Sequence, residues 1–184
     1  MQQKTRRKHN AARLFFICCL IEYTARQTKN MRSDVVNALG KRRIKLIFDS
    51  SSGWYCLDNI EQVCEEVVEE CRITEGNFDN VGDCRYPAPA YWEIGKVYQK
   101  LIRRVADVTK GEMIDVLIRV YHSFISRKID DYNSGAYLES TIYLLDCFFT
   151  KQNDITPQSP FTGEKHKNQK NFIKKSEIMM NFLL

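Results

Sequence analysis

Residues that interrupt helices are scarce in this sequence. Its 184 residues include only 8 glycines and 4 prolines, and neither an internal repeat nor a low-complexity block is present. Apolar residues make up 43% of the chain and charged residues 28%, which is typical of a globular protein and not of a disordered or membrane-embedded one. These proportions favour one main hydrophobic core built from helices that short loops connect.

Long hydrophobic runs are also missing. The apolar segment 14–21 follows basic residues, as in a signal peptide, but a bilayer span needs about twenty apolar residues. Glu22 ends the run, and Ala25, the small residue nearest a cleavage position, is preceded by the bulky Tyr23. We therefore expect no transmembrane helix and no membrane partner, and we expect a cytoplasmic protein, with secretion as the alternative.

Closely paired cysteines are absent. The seven cysteines are odd in number and scattered, none belongs to a CxxC pair, and the three histidines lie far from them in sequence. Tetrahedral zinc sites usually need ligands paired at close spacing. Cys64 and Cys71 fall on the apolar face of a predicted helix, where a free thiol behaves as a small hydrophobe. We predict reduced thiols, no disulfide framework and no metal site.

Recognisable catalytic motifs are absent too. The chain has no phosphate-binding glycine loop, no nucleophile elbow, no HExxH and no EF-hand loop. His122 lies in a predicted helix without an acid or a nucleophile spaced around it, which is typical of a structural or surface histidine. We therefore expect a non-enzymatic protein with no cofactor and no small-molecule substrate.

Helical periodicity is the strongest pattern that the sequence does have. Apolar residues recur at intervals of three and four, most regularly over 58–71 and 91–109. An Asp58–Glu61 capping box should begin one helix, while Ser33 should cap an earlier segment that Gly40 ends. The pattern predicts an all-α fold, an irregular bundle of about six helices. The predicted helical segments are about 10–28, a short one over 33–39, a further one through 44–48, and then 58–71, 91–109, 112–131 and 136–150.

The predicted domain organisation is a helical body over residues 1–152. Residues 153–184 form a polar, flexible tail with an apolar C-terminal end that could dock on the body or on a partner. Segment 74–90 contains glycines and prolines without apolar periodicity, so it is predicted to be one long loop, and a subdivision of the body there is the alternative. Tyr91 and Trp92, just after this loop, are expected to anchor in the core.

Charge is distributed in blocks around a net value of +5. Residues 1–13 contain five bases and no acid, whereas residues 58–70 contain acids and no base. Such blocks are typical of surfaces complementary to a partner, and solvated faces without a role are the alternative. The candidate protein-binding residues are the carboxylates of the predicted 58–70 helix: Glu61, Glu65, Glu66, Glu69 and Glu70.

Nucleic acid is the second partner class that the charges indicate. Basic residues cluster over 41–45 and 96–104, where they can contact phosphates. Segment 33–48 can be drawn as a helix-turn-helix around Gly40, but it lacks a convincing recognition helix, and the acidic helix would repel DNA. The candidate nucleic-acid-binding residues are Lys41, Arg42, Arg43, Lys45, Lys96, Lys100, Arg103 and Arg104.

A family resemblance covers residues 12–72. It rests on the glutamate-rich helix that ends at Cys71 and on three segments: Phe15-Phe16, Ile21-Glu22-Tyr23-x-Ala25-Arg26 and Val35-Val36-x-x-Leu39-Gly40. These segments resemble a bacterial family of short helical domains of unknown function, whose members are often encoded beside predicted toxins. The resemblance implies a bacterial antitoxin-like or accessory protein that binds another protein, and it implies no catalytic residues. A protein-interaction module is thus the leading hypothesis, and a nucleic-acid-binding protein is the alternative.

Overall fold

The fold is an all-α bundle, as the sequence predicts. The computed structural model describes residues 2–50 and 56–152, with the backbone alone described at 2–8 and 151–152. The predicted tail, 153–184, lies outside the described residues. Within these ranges the structure contains seven α-helices: α1 Gln2–Gln27, α2 Arg32–Asp49, α3 Ile60–Glu70, α4 Tyr91–Thr109, α5 Met113–Tyr121, α6 Phe124–Asp130 and α7 Thr141–Gln152.

Helix α1 is the centre of the bundle and packs against α2, α3 and α4. Every residue from Phe16 to Glu22 is buried, because these neighbours cover α1 on several sides. Helix α4 makes the closest approach. A Cβ atom at Gly95 would lie 2.5 Å from Cys19 Sγ and 3.0 Å from the Cys19 backbone nitrogen. Only glycine therefore allows this spacing between α1 and α4.

Helix α2 bends where the sequence predicts an interruption. Gly40 has a φ of 64° and a ψ of 162° inside the helix, and this conformation strongly favours glycine. The predicted cap at Ser33 is wrong. The helix begins at Arg32 after an extended Met31 that makes no side-chain capping bond, because α2 starts directly after the tight turn that follows α1.

Helix α3 buries Ile60, Val63, Cys64 and Val67 of the predicted apolar stripe, whereas its last two residues, Val68 and Cys71, are half-buried. The predicted capping box at its start is wrong. A 3-10 turn over Leu57–Asn59 precedes the helix, so Asn59 occupies the N-cap position and makes no side-chain capping bond. The 3-10 turn shifts the first residue of the α-helix two positions beyond Asp58.

The helix predicted over 112–131 is broken into α5 and α6. The Ser123 hydroxyl donates a hydrogen bond of 2.6 Å to the Val120 carbonyl, so it competes with the helical backbone at this point. The helix predicted from 136 begins five residues later, because 3-10 turns occupy Tyr132–Ser134 and Ala136–Leu138. Segment 74–90 contains no α-helix or strand, as predicted, and the non-helical stretch begins earlier, at residue 71.

The long 71–90 segment is tied to the turn between α1 and α2. The Gly76 backbone nitrogen donates to the Thr28 carbonyl at 2.8 Å, and the Phe78 nitrogen donates to the Lys29 carbonyl at 2.7 Å. Asn80 is buried beneath them. The segment therefore packs as part of the bundle.

Candidate functional site

The acidic face of α3 points to solvent. Four of its five candidate glutamates are exposed, and Glu66 is half-buried. Glu70 forms an ion pair of 2.6 Å with Arg43 on α2. Glu65, Glu66 and Glu69 make no ion pair with any residue that the structure describes. Glu61 has no ion pair there either, so four of the five candidate carboxylates lack an ion-pair partner in the described residues.

The basic cluster 41–45 is largely neutralised. Lys41 forms an ion pair with Asp115, and Lys45 pairs with Asp49 at 2.5 Å. Because Arg43 is occupied by Glu70, only Arg42 in this cluster has no ion-pair partner in the described part of the chain. These pairs weaken the potential that the cluster presents to phosphate groups.

The second basic cluster, 96–104, is not neutralised by ion pairs in this way. Its four residues are all exposed on α4, and none has an ion-pair partner among the described residues. We call them the basic ridge. Lys96 extends over the ring of Phe15 on α1, with its Nζ atom 5.1 Å from the ring centroid. Glu93 and Asp107 are the acids nearest to the ridge in sequence, three residues before its start and three residues after its end. The basic ridge consists of Lys96, Lys100, Arg103 and Arg104.

Trp92 lies one helical turn before the basic ridge. The side chain is 50% exposed, so the expectation that it anchors in the core is wrong. Tyr91 takes the inward position instead, with its ring edge-on to Tyr23 and the centroids 5.3 Å apart. Successive helical residues point about 100° apart, so an inward Tyr91 turns Trp92 toward the solvent.

The N-terminal half of α1 runs beside the basic ridge. The side-chain amide of Gln99 donates to the Ala11 carbonyl at 2.6 Å, while Gly95 touches Cys19 and Tyr91 touches Tyr23. These contacts define an antiparallel register. Since α1 continues to Gln2, its backbone carries the basic segment 4–8 toward the C-terminal end of α4. The backbone of a basic segment therefore runs in the direction of the ridge, although the two are about ninety residues apart in sequence.

The acidic and basic surfaces lie at different levels along α1. Helix α3 crosses α1 at Thr24, whose hydroxyl lies 3.4 Å from Cys64 Sγ. The middle of the ridge lies near Ala11, which Gln99 contacts. At a rise of 1.5 Å per residue these two levels are about 20 Å apart. The α3 carboxylates are therefore separated from the middle of the ridge, whereas the first turn of α4, where Tyr91 contacts Tyr23, lies at the level of α3.

A buried polar network lies beneath these surfaces, and sequence reasoning missed it. Glu22 and Arg32 are fully buried and joined by two hydrogen bonds, from Arg32 Nε at 2.8 Å and from Arg32 Nη2 at 2.6 Å. Arg26 also donates to Glu22 at 2.6 Å, and the Tyr132 hydroxyl donates to the same carboxylate. The network joins α1 and α2 to the turn after α6. The charge of Glu22 at the end of an apolar run was the signal that could have revealed it.

Asp130 extends this network toward α4. Its carboxylate accepts a hydrogen bond of 2.6 Å from the Tyr98 hydroxyl and lies 3.8 Å from Arg32 Nε. Burial raises the pKa of Asp130 to about 7, although Arg32 opposes the rise. Burial also acts to raise the pKa of Glu22, but the charge and hydrogen bonds of Arg32 outweigh it and lower that pKa below its ordinary value. The pKa of Asp130 is thus raised and the pKa of Glu22 lowered, although both carboxyl groups are buried in the same core.

The remaining polar features do not form a recognisable reaction centre in the described ranges. No group of three or more His, Cys, Asp or Glu side chains there is placed to hold a metal ion. A cleft of about 270 Å³ between α6 and α7 is lined in part by Lys128, Tyr143 and Cys147. His122 lies at the surface, with Nε2 2.9 Å from Asn37 Oδ1.

The seven cysteines are all free thiols. Cys18 and Cys19 are buried in the core, and burial raises the pKa of Cys19 to about 12. Because a thiol rather than a thiolate is then present near neutral pH, Cys19 packs as an apolar side chain.

The described parts of the chain contain no candidate transmembrane helix. None of the helices there has both the length and the apolar character that crossing a bilayer requires.

Comparison with known proteins gives no relative. No protein-family model matches the chain, and no curated protein or solved structure matches it either. The resemblance over residues 12–72 therefore stays a prediction.

Proposed function

We propose that this protein binds nucleic acid, without catalysis, through the basic ridge of α4. The proposal rests on the four cations of the ridge, which are exposed and have no ion-pair partner in the described residues. They project from a helix whose opposite face is packed into the core. A rigid row of arginine and lysine side chains can contact successive phosphates, and counterion release then favours binding.

The structure changes which residues belong to this proposal. Cluster 41–45 is left out, because Asp115, Glu70 and Asp49 compensate three of its four cations. The N-terminal segment of α1 is added, since its backbone runs beside the ridge and its sequence contains five bases in residues 1–13. The proposed surface is therefore the basic ridge, beside the backbone of the N-terminal part of α1, and not two separate clusters.

The acidic helix α3 opposes nucleic-acid binding at the middle of the ridge less than the sequence suggests. Charges in physiological salt are screened over about 8 Å, whereas α3 and the middle of the ridge are separated by about 20 Å along α1. Repulsion between the α3 carboxylates and a strand on the ridge is thus largely screened.

Charge reversal tests the proposal. We expect Lys100→Glu, Arg103→Glu and Arg104→Glu together to reduce affinity for a 20-nucleotide oligonucleotide at least tenfold, because three phosphate contacts are lost. Fluorescence anisotropy at salt concentrations from 50 to 200 mM also gives the salt slope, which should fall by about 2 to 3. The matched control, Lys41→Glu, Arg42→Glu and Lys45→Glu, makes the same charge change in the compensated cluster and should bind nearly normally. Equal loss in both variants would contradict the proposal.

A protein partner at α3 is the second candidate function. It is favoured by the carboxylates of Glu65, Glu66 and Glu69, which remain uncompensated on a firmly packed helix. The partner would carry a basic surface, and the resemblance to toxin-linked bacterial domains suggests the product of a neighbouring gene. A cytoplasmic location accords with either function.

The protein-partner candidate has its own reversal test. A stoichiometric protein captured from nuclease-treated cell extract should be lost when Glu65, Glu66 and Glu69 are replaced by lysine. The control replaces the same number of exposed acids elsewhere, Asp83, Glu139 and Asp146, and should retain the captured protein. A partner that binds the α3 variant unchanged would rule out this surface.

A further inference from the structure

Trp92 is the feature of α4 that binding to phosphates does not explain. Large aromatic side chains are usually well buried, but this indole is 50% exposed at the start of a core helix. Lys96, Lys100 and Arg103 follow it at intervals of four, four and three residues. One face of the helix therefore carries an aromatic ring and then three cations, spread over about 16 Å.

The position of Trp92 is fixed by its neighbours. The Glu93 carboxylate accepts a hydrogen bond of 2.7 Å from the Ala90 backbone nitrogen, which anchors the first turn of α4. Tyr91 packs edge-on against Tyr23 of α1. The first turn of the helix is held from both sides, so the indole is presented from an ordered backbone.

We infer that the ligand of this face is a single-stranded nucleic acid, with a base stacked on Trp92 and phosphates on the basic ridge. The inference rests on the proposed function and adds the strand type to it. Single-strand-binding proteins combine a basic track with aromatic side chains that stack on bases. A duplex cannot use Trp92 in the same way, because its bases are already stacked on one another.

Burial raises the pKa of Tyr91, and the charges of Glu61 and Asp58 add to the rise, so two acids lie near the Trp92 end of α4. Glu93 is the residue after Trp92, but its carboxylate is engaged at the helix N-terminus. Asp107 lies at the opposite end of α4, four residues beyond Arg103. A strand that runs from Trp92 to Arg103 therefore meets the three cations before it reaches that acid.

The test compares a 20-nucleotide oligothymidylate with its duplex at fixed salt, by fluorescence anisotropy of labelled strands. We expect the single strand to bind more tightly than the duplex. Trp92→Ala should weaken single-strand binding about 5- to 100-fold, the range that loss of one stacking contact produces, with the salt slope unchanged. Trp92→Phe should retain most of the affinity. Tyr86→Ala, at another exposed aromatic, is the control and should have no effect.

Tryptophan fluorescence gives a second readout. The chain contains two tryptophans, so Trp54→Phe leaves Trp92 as the only one. Oligothymidylate should quench this emission, and the duplex should quench it much less. Equal affinity for the two ligands, or an unchanged Trp92→Ala variant, would overturn the inference.

The outcomes separate the inference from the proposed function. If charge reversal on the ridge abolishes binding while Trp92→Ala leaves it unchanged, the ridge binds nucleic acid but the stacking assignment is wrong. If the wild-type protein binds neither oligonucleotide at 50 mM salt, both are wrong. Thermal unfolding of each variant checks that loss of binding does not come from loss of the fold.

Discussion

Inside the core, the Glu22 carboxylate neutralises the charges of Arg26 and Arg32 and accepts a hydrogen bond from the Tyr132 hydroxyl. We expect Glu22→Gln to lower the free energy of unfolding by about 3–5 kcal/mol, because the Arg32 guanidinium then stays buried without its carboxylate. Urea unfolding followed by circular dichroism measures the change. Glu75→Gln, which removes the surface partner of Lys29, should leave stability nearly unchanged. Equal effects of the two substitutions would show that the buried network contributes no more than a surface pair.

Asp130 should make stability depend on pH in a specific window. Its pKa in the folded protein is about 7, against an ordinary value near 3.8, so between these values the folded chain holds a proton that the unfolded chain has released. Stability should therefore fall as pH rises from 5 to 7 and then level off. Asp130→Asn should flatten this dependence, because the amide stays neutral throughout.

Urea unfolding at pH 5, 6, 7 and 8 checks the Asp130 prediction. The range excludes the acid region, where the lowered pKa of Glu22 gives the opposite trend: stability present above the ordinary glutamate pKa is lost as pH falls toward the folded value. The exposed Asp146→Asn is the control and should keep the wild-type slope. A slope that persists in Asp130→Asn would assign it to another group.

At the scale of elements, the contact between α1 and α4 depends on one missing side chain. Gly95→Ala should lower the free energy of unfolding by about 1–3 kcal/mol, because the new methyl group overlaps Cys19. Adding Cys19→Ala should not restore stability, since the Cys19 backbone nitrogen and Cα would still lie 3.0 and 3.2 Å from the added Cβ. Full recovery in the double variant would mean that the sulfur alone sets the spacing.

Helix α4 shows what the sequence is able to predict. Its apolar stripe and the preceding proline, Pro89, predict bounds of about 91–109, and the helix spans Tyr91–Thr109. Periodicity works here because one face packs into the core along the whole length. The break between α5 and α6 was not predictable in this way, because the apolar pattern continues through Ser123, whose hydroxyl donates to the Val120 carbonyl at the break.

The candidate site was predictable only in part, because charge pairing is a property of the tertiary fold. The sequence shows both basic clusters equally clearly, but the ion pairs of Arg43 with Glu70 and of Lys41 with Asp115 form only when the helices pack. Packing of the half-buried Tyr91 against Tyr23 similarly sets the exposure of Trp92. The sequence supplies the residues of the ridge, and the fold decides which of them remain uncompensated.

At the scale of the whole molecule, the distance between the acidic and basic surfaces makes net charge a poor guide to behaviour on charged matrices. A net charge of +5 alone suggests retention by a cation exchanger only. We expect retention by both resin types at pH 7 and low salt, because each resin can orient the molecule toward it. Lysine at positions 65, 66 and 69 should abolish retention on the anion exchanger, while the ridge reversal should weaken retention on the cation exchanger. Such a protein adsorbs to an anion exchanger through its acidic surface and to a cation exchanger through its basic ridge.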